Sequence, residues 1–145
     1  MTPLDVAIVH RKLRRIRANV DALQNAVASI EIERFRADEL RRRAVERLLQ
    51  ETIDAAVDVN NHLLRGMSRT PAEDYYSSFI ELGRAGVLEP SLATALAPAA
   101  GLRNRIVHEY EELDDAIVLQ AAQSKPAILT EYVAAIERFL EDRAD

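Results

Sequence analysis

The segment Gly101-Leu-Arg-Asn-Arg-Ile-Val-His-Glu-Tyr110 brings a guanidinium, a carboxamide, an imidazole and a phenol into one short stretch. Histidine titrates close to neutral pH and can take or give a proton. A guanidinium offers a rigid fork of donors suited to phosphate oxygens. Together these groups can perform metal-free RNA cleavage. A base removes the proton of a ribose 2′-hydroxyl, the oxygen attacks the adjacent phosphorus, and a cation neutralises the charge that builds on the phosphoryl oxygens. Arg103 and His108 are the candidate catalytic pair. Asn104 is placed to orient His108 or to touch the sugar. A histidine on a helix flank is equally at home as a hydrogen-bonded structural residue, and Tyr110 at a core edge as a packing residue with a wet hydroxyl.

At helical spacing, Leu102, Ile106, Val107 and Tyr110 fall on one apolar stripe, while Arg105 and Glu109 point to water. Asn104 and His108, one turn apart, border that stripe together. Arg103 lies close to the stripe itself, where a cation needs a partner. A two-fold dimer would provide one answer, because two copies of this helix would line a shared cleft with their polar flanks.

The rest of the composition narrows the chemistry. With no cysteine there is no disulfide, thiolate metal site or cysteine nucleophile. His10, His62 and His108 are far apart, with no histidine pair one helical turn apart, so no metal site and no cofactor is expected. No Ser-His-Asp arrangement is legible. The net charge of −5 argues against nucleic-acid binding by bulk charge. It is unevenly spread, however. Residues 1–72 carry 13 Lys+Arg against 10 Asp+Glu, and residues 73–145 carry 6 against 14. All but two of the 19 cations are arginine, which suits phosphate recognition and is also what a GC-rich genome would produce. Arg11, Arg14 and Arg15, within the run from His10 to Arg17, are candidate RNA contacts, or else one solvated helix face. Neither a secretory segment nor a long apolar run interrupts the chain, so a cytoplasmic location without a membrane partner is expected.

Apolar steps of three and four predict an all-α antiparallel bundle of about five helices, one domain over 1–145. Leu4 to about Ser29 places Val6, Val9, Leu13, Ile16, Val20, Leu23 and Val27 on a buried stripe. A second helix from Ile32 to Leu64 would bury Phe35, Leu40, Ala44, Leu48, Ile53, Val57 and Leu64, and end at Gly66 as a C′ residue. Thr70, Pro71 and Glu73 match the start of a third helix over 71–85. A short helical turn through Leu96 leads to the motif helix opening at Pro98. The last helix, 114–140, should be kinked or split at Pro126. Asn60, Asn61 and His62 read as helix-end polarity.

The order Arg103-Asn104, three residues, His108-Glu109-Tyr110 resembles the motif of HEPN-domain toxins, and in its full form the HepT-like ribonuclease toxin family. Tyr75-Tyr76-Ser-Ser-Phe79-Ile80-Glu-Leu82-Gly83 resembles that family's third helix. Gly86-Val87-Leu88, Leu92 and Leu96 fit its approach to the motif, and Glu112-Leu113-Asp114 the start of its final helix. Over about 65–120 the likeness is specific, whereas over the first two helices it rests on pattern and length. The resemblance implies a homodimer, able to assemble further, with the motif at its interface. It also implies metal-independent endoribonuclease activity carried by Arg103 and His108 and supported by Asn104. The partner it implies is an MntA-like nucleotidyltransferase antitoxin that adds AMP to Tyr110. The alternative is a non-catalytic HEPN module that only binds such a nucleotidyltransferase or a nucleotide.

Overall fold

A computed structural model of the chain describes residues 4–109 and 112–144. Within them, α1 spans Val6–Val27, α2 Ile32–Ala37, α3 Glu39–Gly66, α4 Tyr75–Arg84, α5 Pro90–Leu96, α6 Ala99–His108 and α7 Asp115–Ala144. Five of these have ten residues or more, which matches the expected bundle. The other two, α2 and α5, are short connecting pieces of 6 and 7 residues.

Three long helices form the frame. The first half of α1 packs with the second halves of α3 and α7 around Ile16, Leu63, Leu64, Tyr132 and Ile136, and this cluster is closed by α4 and α5 through Phe79, Leu82 and Leu96. The second half of α1 packs with the first halves of α3 and α7 around Leu23, Phe35, Val45, Leu49, Val118 and Ala122. α1 therefore runs antiparallel to both α3 and α7. Leu102 and Ile106 of α6 insert into the second cluster, which fixes the rotation of the motif helix about its axis.

Several local expectations are corrected. Asp5 caps α1 by accepting from the Ile8 amide, so the helix begins after Leu4. The rest of the stripe is buried, but Val6 is 43% exposed. The expected second helix is two helices, because the backbone leaves helical geometry at Asp38, whose side chain accepts from the Arg41 amide and starts α3 afresh. The break resets the helical phase. Val45 and Leu49 therefore face the core, while Leu40 is 83% exposed and Ala44 is also exposed. Asp74, not Thr70, caps α4. Its carboxylate accepts from the Ser77 amide at 2.7 Å, and that bond lowers its pKa. Gly66 remains helical and buried, where a β-carbon would press on Leu4 at 3.1 Å, and the left-handed residue after α3 is Ser68. Pro126 does not split α7, which is helical throughout. The packing of α7 along α1 in both clusters holds the helix across the missing amide donor.

Asn60, Asn61 and His62 are structural ties rather than helix-end polarity. Asn60 is fully buried, donates to Ser78 Oγ at 3.0 Å and accepts from the Tyr132 hydroxyl. Asn61 accepts from the Ala72 amide, and His62 Nε2 accepts from the Asp5 amide. Ser78 in turn donates to the Tyr75 carbonyl at 2.8 Å. A buried polar chain thus pins the first turn of α4 onto α3 and α7, and so sets the place of Tyr75.

Candidate functional site

Arg103 sits on α6 where the helix meets α3 and α4. It is neither in the core nor free in water, its side chain being 20% exposed. Its Nε donates to Asp54 Oδ1 at 2.8 Å. The Tyr75 hydroxyl donates to the same oxygen at 3.0 Å. The guanidinium carbon lies 4.8 Å from the centre of the Tyr75 ring, so the cation also rests on an aromatic face. The cation that needed a partner therefore finds one within its own chain, and a second copy is not required to neutralise it. Partial burial and the bond to Asp54 both raise the Tyr75 pKa, so the phenol stays protonated as a donor.

Neither Asp54 nor Tyr75 was legible as a site residue. Asp54 lies 49 residues from Arg103 in sequence. The signal that could have found it is a carboxylate interrupting the buried run from Thr52 to Val57 on α3.

The other motif residues lie as the helical spacing requires. Leu102 and Ile106 are buried, Val107 is half-buried, and Asn104, Arg105 and His108 are exposed. Asn104 and His108 share one exposed flank, and His108 is the last residue of α6. Tyr110 lies outside the described residues. Arg103 and His108 are five residues apart, a rise of roughly 7.5 Å along the helix axis. The two also lie about 140° apart around that axis, so the Arg103 side chain meets α3 and α4 while His108 faces outward.

The candidate RNA contacts divide. Arg11 and Arg15, with Lys12, line a cleft of about 360 Å³ between α1 and α3 whose opposite wall carries Glu51, Asp54 and Asp58. Arg14 is exposed but lies outside that lining. Lys12 pairs with Asp58 at 2.9 Å and Arg15 approaches Glu51 at 3.9 Å. Asp54 is common to both features: it lines the cleft and it holds Arg103. The basic face of α1 and the motif helix thus approach one carboxylate from two sides. Among the described residues, no three His, Asp or Glu side chains gather as a set of metal donors. Likewise, no helix among them is long and apolar enough to cross a membrane.

Comparison with known proteins gives a consistent result. The family model described as ribonuclease HepT-like matches residues 16–141. A tRNA nuclease HepT from Aphanizomenon flos-aquae is 33% identical over 140 residues, covering 97% of this chain and 95% of the relative. An mRNA nuclease HepT from Shewanella oneidensis is 32% identical over 75 residues, 52% of this chain and 56% of the relative. Among solved structures, a tri-AMPylated Shewanella oneidensis HEPN toxin in complex with MNT antitoxin has a TM-score of 0.82 at 24% identity, covering 90% of this chain and 97% of that one. The cytosolic protein of unknown function YutE from Bacillus subtilis has a TM-score of 0.85 at 15% identity, covering 99% and 95%. At these identities the structural likeness speaks for the helical fold alone, whereas the family model and the tRNA nuclease HepT match extend over most of the chain. The motif on α6, the bundle that carries it and the span of those matches agree: the chain belongs to the ribonuclease HepT-like family.

Proposed function

We propose that this protein is a metal-independent endoribonuclease, the toxin of a toxin–antitoxin pair whose antitoxin is an MntA-like nucleotidyltransferase. The observation that carries this function is the fixed Arg103 guanidinium on the same short helix as the exposed His108. The name tRNA nuclease, borne by a relative matched over 97% of the chain, supports it. The chain acts as one domain over 1–145, in the cytoplasm.

In this mechanism His108 takes the 2′-hydroxyl proton, and the 2′-oxygen forms a bond to the adjacent phosphorus. The bond from phosphorus to the 5′-oxygen breaks, and the leaving oxygen collects a proton. A cyclic 2′,3′-phosphate and a free 5′-hydroxyl result. Arg103 binds the non-bridging oxygens as their charge grows. Asn104, exposed on the same flank as His108, orients the imidazole or contacts the ribose. A homodimer would turn two exposed flanks into one enclosed cleft with two imidazoles, one able to act as base and the other as acid. Arg11 and Arg15 extend the phosphate path along α1, with Arg14 as a peripheral contact.

The test is cleavage of total cellular RNA by the purified protein in EDTA. Discrete cleavage is expected. Intact RNA after incubation with protein of unmodified mass would refute the ribonuclease function and favour a module that only binds its nucleotidyltransferase. Regulation is assigned to Tyr110. The nucleotidyltransferase would move AMP from ATP to the phenolic oxygen, releasing pyrophosphate and adding negative charge two residues along the chain from His108. Intact-mass measurement should show added AMP on the wild type and none on Tyr110→Phe. Equal modification of both would remove Tyr110 as the acceptor.

A further inference from the structure

We propose that Asp54 and Tyr75 form a positioning pair that sets the orientation of the Arg103 guanidinium for the reaction, an inference that rests on the ribonuclease function proposed above. The three side chains come from three helices: Asp54 from α3, Tyr75 from the first turn of α4, Arg103 from α6. One carboxylate oxygen receives both the Arg103 Nε at 2.8 Å and the Tyr75 hydroxyl at 3.0 Å. The Tyr75 ring covers one face of the guanidinium at 4.8 Å. A planar cation held at Nε and on one face has lost most of its rotational freedom. Its two terminal amino groups then project as a fork whose plane the protein has chosen.

Neutralising the part-buried Arg103 needs only a nearby carboxylate. Charge balance alone does not require a second donor on the same carboxylate oxygen or a ring on the guanidinium face. Helices α3, α4 and α6 are already joined by apolar packing that includes Phe79, Leu82 and Leu102. The buried chain from Tyr132 through Asn60 and Ser78 to the Tyr75 carbonyl fixes Tyr75 independently of Arg103. Asp54 also forms part of the wall of the cleft lined by Arg11 and Arg15. The same carboxylate therefore relates the motif helix to the basic face that would carry the rest of the RNA.

The experiment compares the full chain with Asp54→Asn, Asp54→Glu and Tyr75→Phe, measuring kcat and KM on one RNA together with thermal unfolding. A misplacement of about an ångström in a reacting group can cost about 100-fold in rate. Asp54→Asn should therefore lower kcat by roughly 10- to 100-fold while leaving KM nearly unchanged. Asp54→Glu, which restores a charged acceptor, should recover part of that loss, and Tyr75→Phe should lose less than Asp54→Asn. An activity-independent readout is the Arg103 Nε–H signal in nitrogen-15 NMR. It should exchange slowly in the wild type and markedly faster in Asp54→Asn.

Wild-type kcat in Asp54→Asn would overturn the positioning role and leave the ribonuclease function standing. So would a loss of activity that only tracks the fraction unfolded and is not relieved in Asp54→Glu. A wild-type protein that cuts no RNA would instead sink the ribonuclease function, and the role of Asp54 with it, even with the Nε–H signal protected.

Discussion

His108→Ala is expected to lower RNA cleavage by about 100- to 10,000-fold, the range a positioned acid–base group supplies. The fold should be unaffected. His108 is exposed at the end of α6, and the residues that dock the helix are Leu102 and Ile106 on its other side. Thermal unfolding of the variant should match the wild type. In a homodimer with two imidazoles in one cleft, the variant would lose base and acid together, so the upper part of that range is expected. Cleavage by the variant at the wild-type rate would show that another group moves the proton, and the assignment of His108 would fail.

Arg103→Lys should also be severe, at about 100-fold or more, although the charge is retained. A lysine ammonium can pair with Asp54 or with a phosphate, but it has no second edge with which to do both in a defined plane. In the native chain Nε is engaged by Asp54, and in the proposed mechanism the terminal amino groups meet the substrate. If lysine reproduced the wild-type rate, a point charge would be sufficient and the guanidinium geometry irrelevant. Comparing this variant with Asp54→Asn separates charge from orientation. The first keeps the carboxylate and changes the fork, the second keeps the fork and changes what holds it.

Much of the fold was legible because helices are written locally. Steps of three and four along α1 and the segment that became α2 and α3, and the sparse glycine and proline, required a helical bundle. The breaks were less legible. Asp38 interrupts an apolar pattern that continues on either side of it, and the shift in phase that exposes Leu40 follows from where the chain turns. Pro126 carried the opposite lesson. A local breaker is tolerated inside α7 because packing along α1 holds the helix on both sides.

The candidate site divides along the same line. By itself, the sequence determined that Arg103, Asn104 and His108 share one short helix, and that its apolar stripe leaves Asn104 and His108 on an exposed flank. Spacing along a helix is a property of the backbone and needs no tertiary contact. What holds Arg103 was decided only by the tertiary structure. Asp54 and Tyr75 are 49 and 28 residues away from it, on helices whose meeting depends on the burial of Phe79, Leu82 and Leu102 and on the polar chain through Asn60. A carboxylate on α3 becomes the partner of a cation on α6 only once that packing has closed.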